Sequence, residues 1–488
     1  MHPPLARIAA VNVGTQARWL SRTLGRGGGT SLPGLLAQRI DAGLVGALAG
    51  ELGHGCVLVT GTNGKTTTTR MLADVARRFG WTVLSNREGS NLLRGVATVL
   101  LDHSSRAGHL DVPEESIGIF EVDEGALPGA IDTLRPRLVV ITNLFRDQLD
   151  RYFEVDFVAR LWATALRRLP ADATLVINAD DAQVAYLGEE VSGGVAYYGL
   201  EDVRHAHGGL EHAADSRRCP RCGTDLHYER SFYAHLGHYG CGQCGWRRPA
   251  PRVAGWRVEL SALEGTELEA STAVGNRVFQ VPLPGLFNAY NALGAIAGAS
   301  ALGINPAVIE EAVAGASGAF GRLERFRVGD TLVCLLLVKN PSGFNQALRL
   351  VLDESQAEPV HLLLALNDNG PDGRDVSWIW DVDLELCAQD GVEFIMAAGE
   401  RAHDLALRLK YAGMAVGDPG SGSPTDRTVV VEEDVVRAFW RAVERTPPGA
   451  TLYVLPSYTA MWRLRENLAA RRYVPRFYEQ VELALAAA

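Results

Sequence analysis

From about residue 51 to residue 200, short apolar runs alternate with stretches of helical periodicity. The runs at 56–59, 82–84, 117–121, 138–142 and 174–177 predict buried strands. Between the first two, Met71, Leu72, Val75, Ala76 and Phe79 recur at helical spacing, predicting a helix over 66–79. Strand and helix in alternation predict a mostly parallel sheet covered by helices. After a break at 205–250, residues 257–282 predict antiparallel strands, and an alanine-rich helix begins in the Gly285-Leu-Phe-Asn288-Ala-Tyr-Asn291 stretch. A second alternation starts near Val328, with strands expected at 332–338, 360–365, 393–397, 428–431 and 451–455. The expected organisation is a basic helical segment over 1–50, an α/β domain over 51–325 with an insertion at about 205–250, and a C-terminal α/β domain over 326–488.

Ligands of parallel sheets sit beyond the carboxyl ends of the strands, and polar residues collect there. They are Gly61 to Thr66, Asn86 to Gly89, Glu121 to Glu124, Thr142-Asn143 and Asn178 to Asp181. The first is the most informative. Gly61-Thr62-Asn63-Gly64-Lys65-Thr66-Thr67 joins a strand to a helix, where backbone N–H groups and the helix dipole favour an anion. It is a shortened form of the common phosphate loop, Gly-x-x-Gly-Lys-Thr. Lys65 suits the terminal phosphates of a nucleoside triphosphate, and the Thr66 hydroxyl suits Mg²⁺.

Composition narrows the picture. At 488 residues the chain exceeds one ordinary core. A formal net charge of −10 argues against general nucleic-acid binding. Lysine occurs only as Lys65, Lys339 and Lys410, with arginine carrying the remaining positive charge, so each lysine marks a place where a guanidinium does not serve. Residues 1–40 hold Arg7, Arg18, Arg22, Arg26 and Arg39 and no acidic residue. This segment reads as a helix packed on the body, as a basic interfacial element beside anionic lipid, or as a transit peptide. No apolar run is long enough to span a bilayer and no signal peptide is recognisable, so a cytoplasmic location is expected, at the inner face of the membrane if the basic segment binds lipid.

Four of the seven cysteines form two knuckles, Cys219-Pro-Arg-Cys222-Gly and Cys241-Gly-Gln-Cys244-Gly. That spacing predicts a closed four-thiolate Zn²⁺ site, structural because no position is left open, in a reducing compartment. His227, His235 and His238 between the knuckles read as spare. Cys56, Cys334 and Cys387 lack the glycine flanks of a nucleophile elbow and read as core.

Taken together, Gly61 to Thr66, Glu121-Val-Asp-Glu124, Thr142-Asn143, Asn178-Ala-Asp-Asp181, Asn288 with Asn291, and Gly321-Arg322 resemble the Mur ligases. The four-cysteine insertion, Leu337-Val-Lys-Asn-Pro341, and the run from Asn367 through Asp372-Gly-Arg-Asp375 to Asp381 make the chain most similar to the MurT-like synthetase subunits of lipid II isoglutaminyl synthase. The resemblance extends from about residue 5 to Pro456-Ser-Tyr-Thr459. It implies ATP-dependent activation of the D-glutamate α-carboxyl in lipid II as an acyl phosphate, and attack by ammonia from a separate GatD-like glutaminase subunit. It further implies Mg²⁺ on Thr66 and Glu121, Asn291 near the adenine, Arg322 on phosphate, and Lys339 on phosphate or a substrate carboxylate. Asp375 would complement the partner's Cys-His pair, with Asp372 and Asp381 as competitors. Two other readings stand beside it: a ligase of the Mur or folyl-polyglutamate type that adds an amino acid, and a zinc-ribbon P-loop NTPase that binds nucleic acid.

Overall fold

The structure, a computed structural model, describes residues 3–23, 32–86, 91–147, 155–261, 263–272, 274–317, 322–354, 359–417 and 428–475. Two compact units make up the chain. The first comprises Met1–Phe145, Glu154–Leu210 and Ala214–Ser317; the second comprises Arg146–Phe153, Glu211–Ala213 and Gly318–Ala488.

The first unit is built on a nine-stranded sheet. Its strands are β1 (Cys56–Thr60), β2 (Thr82–Leu84), β3 (Ser116–Glu121), β4 (Leu138–Ile141), β5 (Thr174–Asn178) and β6 (Gly194–Leu200), followed beyond a hairpin of β7 (His227–Tyr233) and β8 (Leu236–Gly240) by β9 (Val253–Ser261), β10 (Gly265–Thr272) and β11 (Gly275–Val281). They lie in the order β11-β10-β9-β6-β5-β4-β1-β3-β2. Every pairing from β2 to β9 is parallel, and only β9-β10-β11 forms an antiparallel meander. Strand β1 lies in the interior with all five residues buried, as its uninterrupted apolar run requires. The first helix after it spans Lys65–Arg78, and its apolar stripe Met71, Leu72, Val75 and Ala76 is buried.

Strand β6 is absent from the sequence expectation. Its first residues are exposed or half-buried and only its last three are buried, so no continuous apolar run marks it. It pairs in parallel with both β5 and β9 and so joins the parallel strands to the meander.

The N-terminal helix Leu5–Thr23 buries Ala10 and Val11, and its basic residues turn partly inward: Arg7 pairs with Glu51 and Arg18 with Asp102. Trp19 and Leu20 remain exposed. Among the described residues no helix is long and apolar enough to cross a membrane.

The second unit holds a seven-stranded sheet made of β12 (Arg322–Val328), β13 (Thr331–Leu336), β14 (Val360–Ala365), β15 (Val392–Ala398), β16 (Ala415–Gly417), β17 (Thr428–Glu432) and β18 (Thr451–Pro456). The order is β12-β13-β18-β14-β15-β17-β16, antiparallel only between β12 and β13. Val333, Leu363, Met396, Val454 and Met461 are core residues of this unit. The stretch 417–423, rich in glycine and serine, reads from the sequence as a loop inside this domain, and beyond Gly417 it lies outside the described residues.

Candidate active site

The loop Gly61–Gly64 leaves the carboxyl end of β1 and enters the helix Lys65–Arg78 through Gly64, whose φ of 86° lies in the left-handed region. A side chain there is excluded twice, by that conformation and because a Cβ would stand 1.9 Å from Asn291 Oδ1. Gly61 is equally constrained: its Cβ would stand 2.1 Å from Thr142 Oγ1. The next strand supports the loop through side chains. Asn143 Oδ1 accepts from Asn63 N at 2.8 Å, and Asn143 Nδ2 and Thr142 Oγ1 donate to Asn63 O at 3.0 and 2.7 Å. Thr62 Oγ1 accepts from Phe145 N at 3.0 Å and donates to Phe145 O at 3.1 Å.

Lys65 is buried at the first position of the helix. Its ammonium donates to Gly61 O, to Thr62 O at 3.2 Å, and to Glu124 Oε2 at 3.0 Å. Glu124 is held in turn by Trp162, whose indole N–H donates to the Glu124 carbonyl at 2.9 Å. Sequence reasoning named Glu124 as part of a motif without a role, since spacing alone does not say which acidic residue of Glu121-Val-Asp-Glu124 meets the lysine.

Glu121 ends β3 in register with Val59 of β1, which brings its carboxylate to the edge where the loop emerges. Asn86 brackets its backbone, accepting from Glu121 N at 2.8 Å and donating to Glu121 O at 2.9 Å. Thr66 and Thr67 follow Lys65 on the first helical turn. Asn291, on the helix Leu286–Ala301, donates to Asn288 Oδ1 at 3.0 Å, and its carbonyl accepts from Thr68 Oγ1 at 3.3 Å. The first unit thus gathers Gly61 to Thr67, Glu121, Glu124 and Asn291 at one rim of its sheet. By contrast, Asp180 and Asp181 of the neighbouring rim motif serve the fold. Asp180 accepts from Arg248 and from Tyr290 Oη at 2.6 Å, while Asp181 caps the helix Ala182–Tyr186.

The remaining predicted residues lie in the second unit. Lys339 Nζ stands 2.5 Å from Asp147 Oδ2, so it is an ion-paired lysine and not a solvated one. Arg322 opens β12, and its side chain, like Gly321, lies outside the described residues. The three aspartates differ. Asp372 is buried and spent on Thr459, accepting from its N–H at 2.8 Å and from its hydroxyl. Asp381 pairs with Arg146 at 3.2 Å. Asp375 is exposed and accepts from Ser377 N at 2.8 Å; the Ser377 hydroxyl and N–H hold its carboxyl below the usual range.

The four knuckle cysteines converge, with all Sγ atoms within 4.8 Å of one another. Cys219–Cys244 and Cys222–Cys241 are 3.7 and 3.4 Å apart, near the ~3.8 Å edge of a tetrahedron with Zn–S bonds of about 2.3 Å. The knuckles match: Gly223 N and Gly245 N close each turn on Cys219 O and Cys241 O at 2.8 and 3.0 Å. Burial pushes the Cys219 thiol up to about 12, whereas the Thr224 hydroxyl and N–H draw Cys222 down to about 6. The donor set is compatible with Zn²⁺. The other three cysteines are buried, and burial pushes Cys56 and Cys387 up to about 12, far from a reactive thiolate.

A glycine phosphate loop with Lys-Thr on a parallel sheet, followed by a second α/β unit, is the architecture of an ATP-dependent ligase of the Mur class. Residues 59–220 match the Mur ligase middle domain, and residues 337–461 match the MurT ligase C-terminal domain. The chain is 32% identical over 460 residues to the lipid II isoglutaminyl synthase (glutamine-hydrolyzing) subunit MurT of Staphylococcus aureus strain COL, covering 94% of this chain and 97% of that one. It is 33% identical to the subunit of the same name from Streptococcus pneumoniae strain R6, over 94% and 96% of the two chains. The chain belongs to the MurT family. In fold alone it is similar to a pseudomurein peptide ligase type C from Methanothermus fervidus (TM-score 0.63, 22% identity, covering 86% and 79%). It is likewise similar in fold to MurF from Acinetobacter baumannii (TM-score 0.62, 18% identity, 88% and 80%). Membership of the Mur ligases implies ATP and Mg²⁺.

Proposed function

We propose that this chain amidates the α-carboxyl of D-glutamate in the lipid II stem peptide, converting it to D-isoglutamine through an acyl phosphate, with ammonia from a GatD-like glutaminase subunit. The observation that carries the reading is the likeness, over nearly the full length of both chains, to subunits named for glutamine-hydrolysing lipid II isoglutaminyl synthesis.

A carboxylate is a poor electrophile, and phosphorylation supplies its leaving group. The protein then has to position two anions and neutralise charge at the transferring phosphoryl group. The helix N-terminus entered through Gly64 offers backbone N–H groups to the phosphates, since those of Thr62 and Asn63 are spent on Asn143, and Lys65 exchanges Glu124 for the β- and γ-phosphates. Thr66 and Glu121 would hold Mg²⁺, which offsets phosphate charge when bound. Thr67 completes the first turn. Asn291, seated over Gly64, reaches toward the nucleotide from the opposite helix, and Arg322 contributes a cation to phosphate. Lys339 exchanges Asp147 for phosphate or a substrate carboxylate. The buried cysteines leave this chain without a glutaminase nucleophile, which supports an external ammonia source. Asp375, exposed and held ionised, suits the role of orienting a partner's histidine better than Asp372 or Asp381, whose carboxylates are occupied. Cys219, Cys222, Cys241 and Cys244 hold a structural Zn²⁺. A lipid-linked substrate suits work at the inner face of the membrane, beside the basic N-terminal helix.

The test is reconstitution. ADP formation should require lipid II and ammonium together, and glutamine should replace ammonium only when the glutaminase subunit is present. ATP turnover driven by nucleic acid, or by an amino acid in place of ammonium, would overturn the assignment.

A further inference from the structure

The hairpin β7–β8, which carries the chain from one cysteine knuckle to the other, is placed unusually. A hairpin tip is ordinarily the most exposed part of its element. Here Tyr233, Ala234, His235 and Leu236 are 3%, 0%, 0% and 0% exposed. The tip is driven into the first unit, with Ala234 at φ 49°. Along its length Gly237 N donates to Asp180 O at 2.9 Å, His238 Nε2 meets Leu200 O at 2.9 Å, and Tyr239 Oη donates to Ala179 O at 2.9 Å. The other end packs into the cysteine cluster, where Tyr239 and Trp246 share a core with Cys219 and Cys241.

His235 is the point of contact. Its Nδ1 accepts from Asp215 N at 3.2 Å, which puts the proton of the neutral ring on Nε2. Nε2 lies 3.2 Å from Asp181 Oδ2, off the line of a well-formed hydrogen bond and with no other partner. Both side chains are 0% exposed. The same Asp181 oxygen accepts from Leu144 N at 2.7 Å. The Phe145 ring lies 4.6 Å from His235 and 6.0 Å from Tyr233. Phe145 in turn exchanges two hydrogen bonds with the Thr62 hydroxyl, and the Thr62 carbonyl accepts from Lys65 Nζ at 3.2 Å. A continuous chain of buried contacts therefore runs from the hairpin through His235, Asp181 and Leu144-Phe145 to Thr62 and Lys65.

We propose that the hairpin of the four-cysteine insertion is a strut for the phosphate loop, and that His235 is the positioning residue through which it acts. The proposal rests on reading Gly61 to Thr67 as the nucleotide loop. The knuckles anchor one end of the strut. The buried tip then holds Leu144-Phe145 against Thr62, so that the loop is preorganised before ATP arrives. Preorganisation raises affinity by removing an ordering cost from binding.

The test uses the full chain and ATP as the probe. His235→Phe keeps a ring beside Phe145 but removes both the acceptor for Asp215 N and the polar N–H that faces Asp181, and His235→Gln restores an acceptor and a donor. With zinc content and circular dichroism unchanged, His235→Phe should weaken ATP binding about tenfold, as loss of the hydrogen bond from Asp215 N together with the polar contact to Asp181 would, and leave the ammonium KM unaltered. His235→Gln should recover most of the affinity. Wild-type ATP affinity in a folded His235→Phe protein, or equal weakening in His235→Gln, would overturn the strut. Lys65→Ala serves as the control: if it too binds ATP normally, the nucleotide reading fails and the strut with it. A second measurement needs no variant. Stripping metal from the wild type should accelerate amide exchange at Thr62, Leu144 and Phe145; acceleration confined to residues 219–246 would reject the proposal.

Discussion

Lys65 and Glu124 form the most consequential pair in the first unit. Their side chains are only 8% and 5% exposed, so each charge leans on the other, and the Lys65 ammonium also on the carbonyls of Gly61 and Thr62. A buried pair adds little net stability, because desolvation offsets the attraction, but breaking it strands a charge. Glu124→Gln should therefore lower stability by about 3 kcal/mol. Bound MgATP should return most of that loss by giving Lys65 another anion. Scanning calorimetry with and without nucleotide reads both effects, and equal melting temperatures of variant and wild type without nucleotide would refute the argument. Lys65→Ala should reduce ammonium-driven amidation on the order of a hundredfold or more, as loss of a transition-state donor does. Retention of full activity would place the phosphates elsewhere.

Among the elements, the cysteine insertion is one whose stability depends on more than apolar burial. Its knuckles bring Cys219, Cys222, Cys241 and Cys244 together around a small core of Leu226, Tyr239 and Trp246. Metal analysis should find about one zinc per chain, and a strong chelator should lower the melting temperature. A metal-free protein that melts like the untreated one would show that the thiols close without an ion. The N-terminal helix belongs at the same scale. Arg7 and Arg18 pair with Glu51 and Asp102, while Leu5, Val13, Trp19 and Leu20 are exposed, which favours packing on the body over a wholly basic surface.

The division of labour between subunits is decided at the scale of the whole molecule. Asp375 belongs to the second unit, Lys65 to the first, and the two carry separable predictions. If Asp375 orients the partner's histidine as proposed, Asp375→Asn should abolish glutamine-driven amidation and leave the ammonium-driven reaction near wild type. Equal loss of both activities, measured side by side on the reconstituted complex, would move Asp375 into the synthetase site. Lys339 and its partner Asp147 fall in the second unit although Asp147 follows β4 of the first, a placement that chain order does not announce.

Much of the framework was legible in the residues alone. Continuous apolar runs identify the buried parallel strands, helical spacing identifies the helix after the phosphate loop, and C-x-x-C-G repeated twice identifies four converging thiols, because these signals are local. Strand β6 was not legible, since half of it is solvated and its place depends on the neighbours it joins. Only the tertiary structure decided that Lys65 meets Glu124, that Asp372 is spent on Thr459 while Asp375 faces solvent, and that His235 is buried against Asp181. Each of these depends on through-space approach between segments far apart in the chain. Periodicity and spacing report which face a residue takes, and they carry no information about what that face meets.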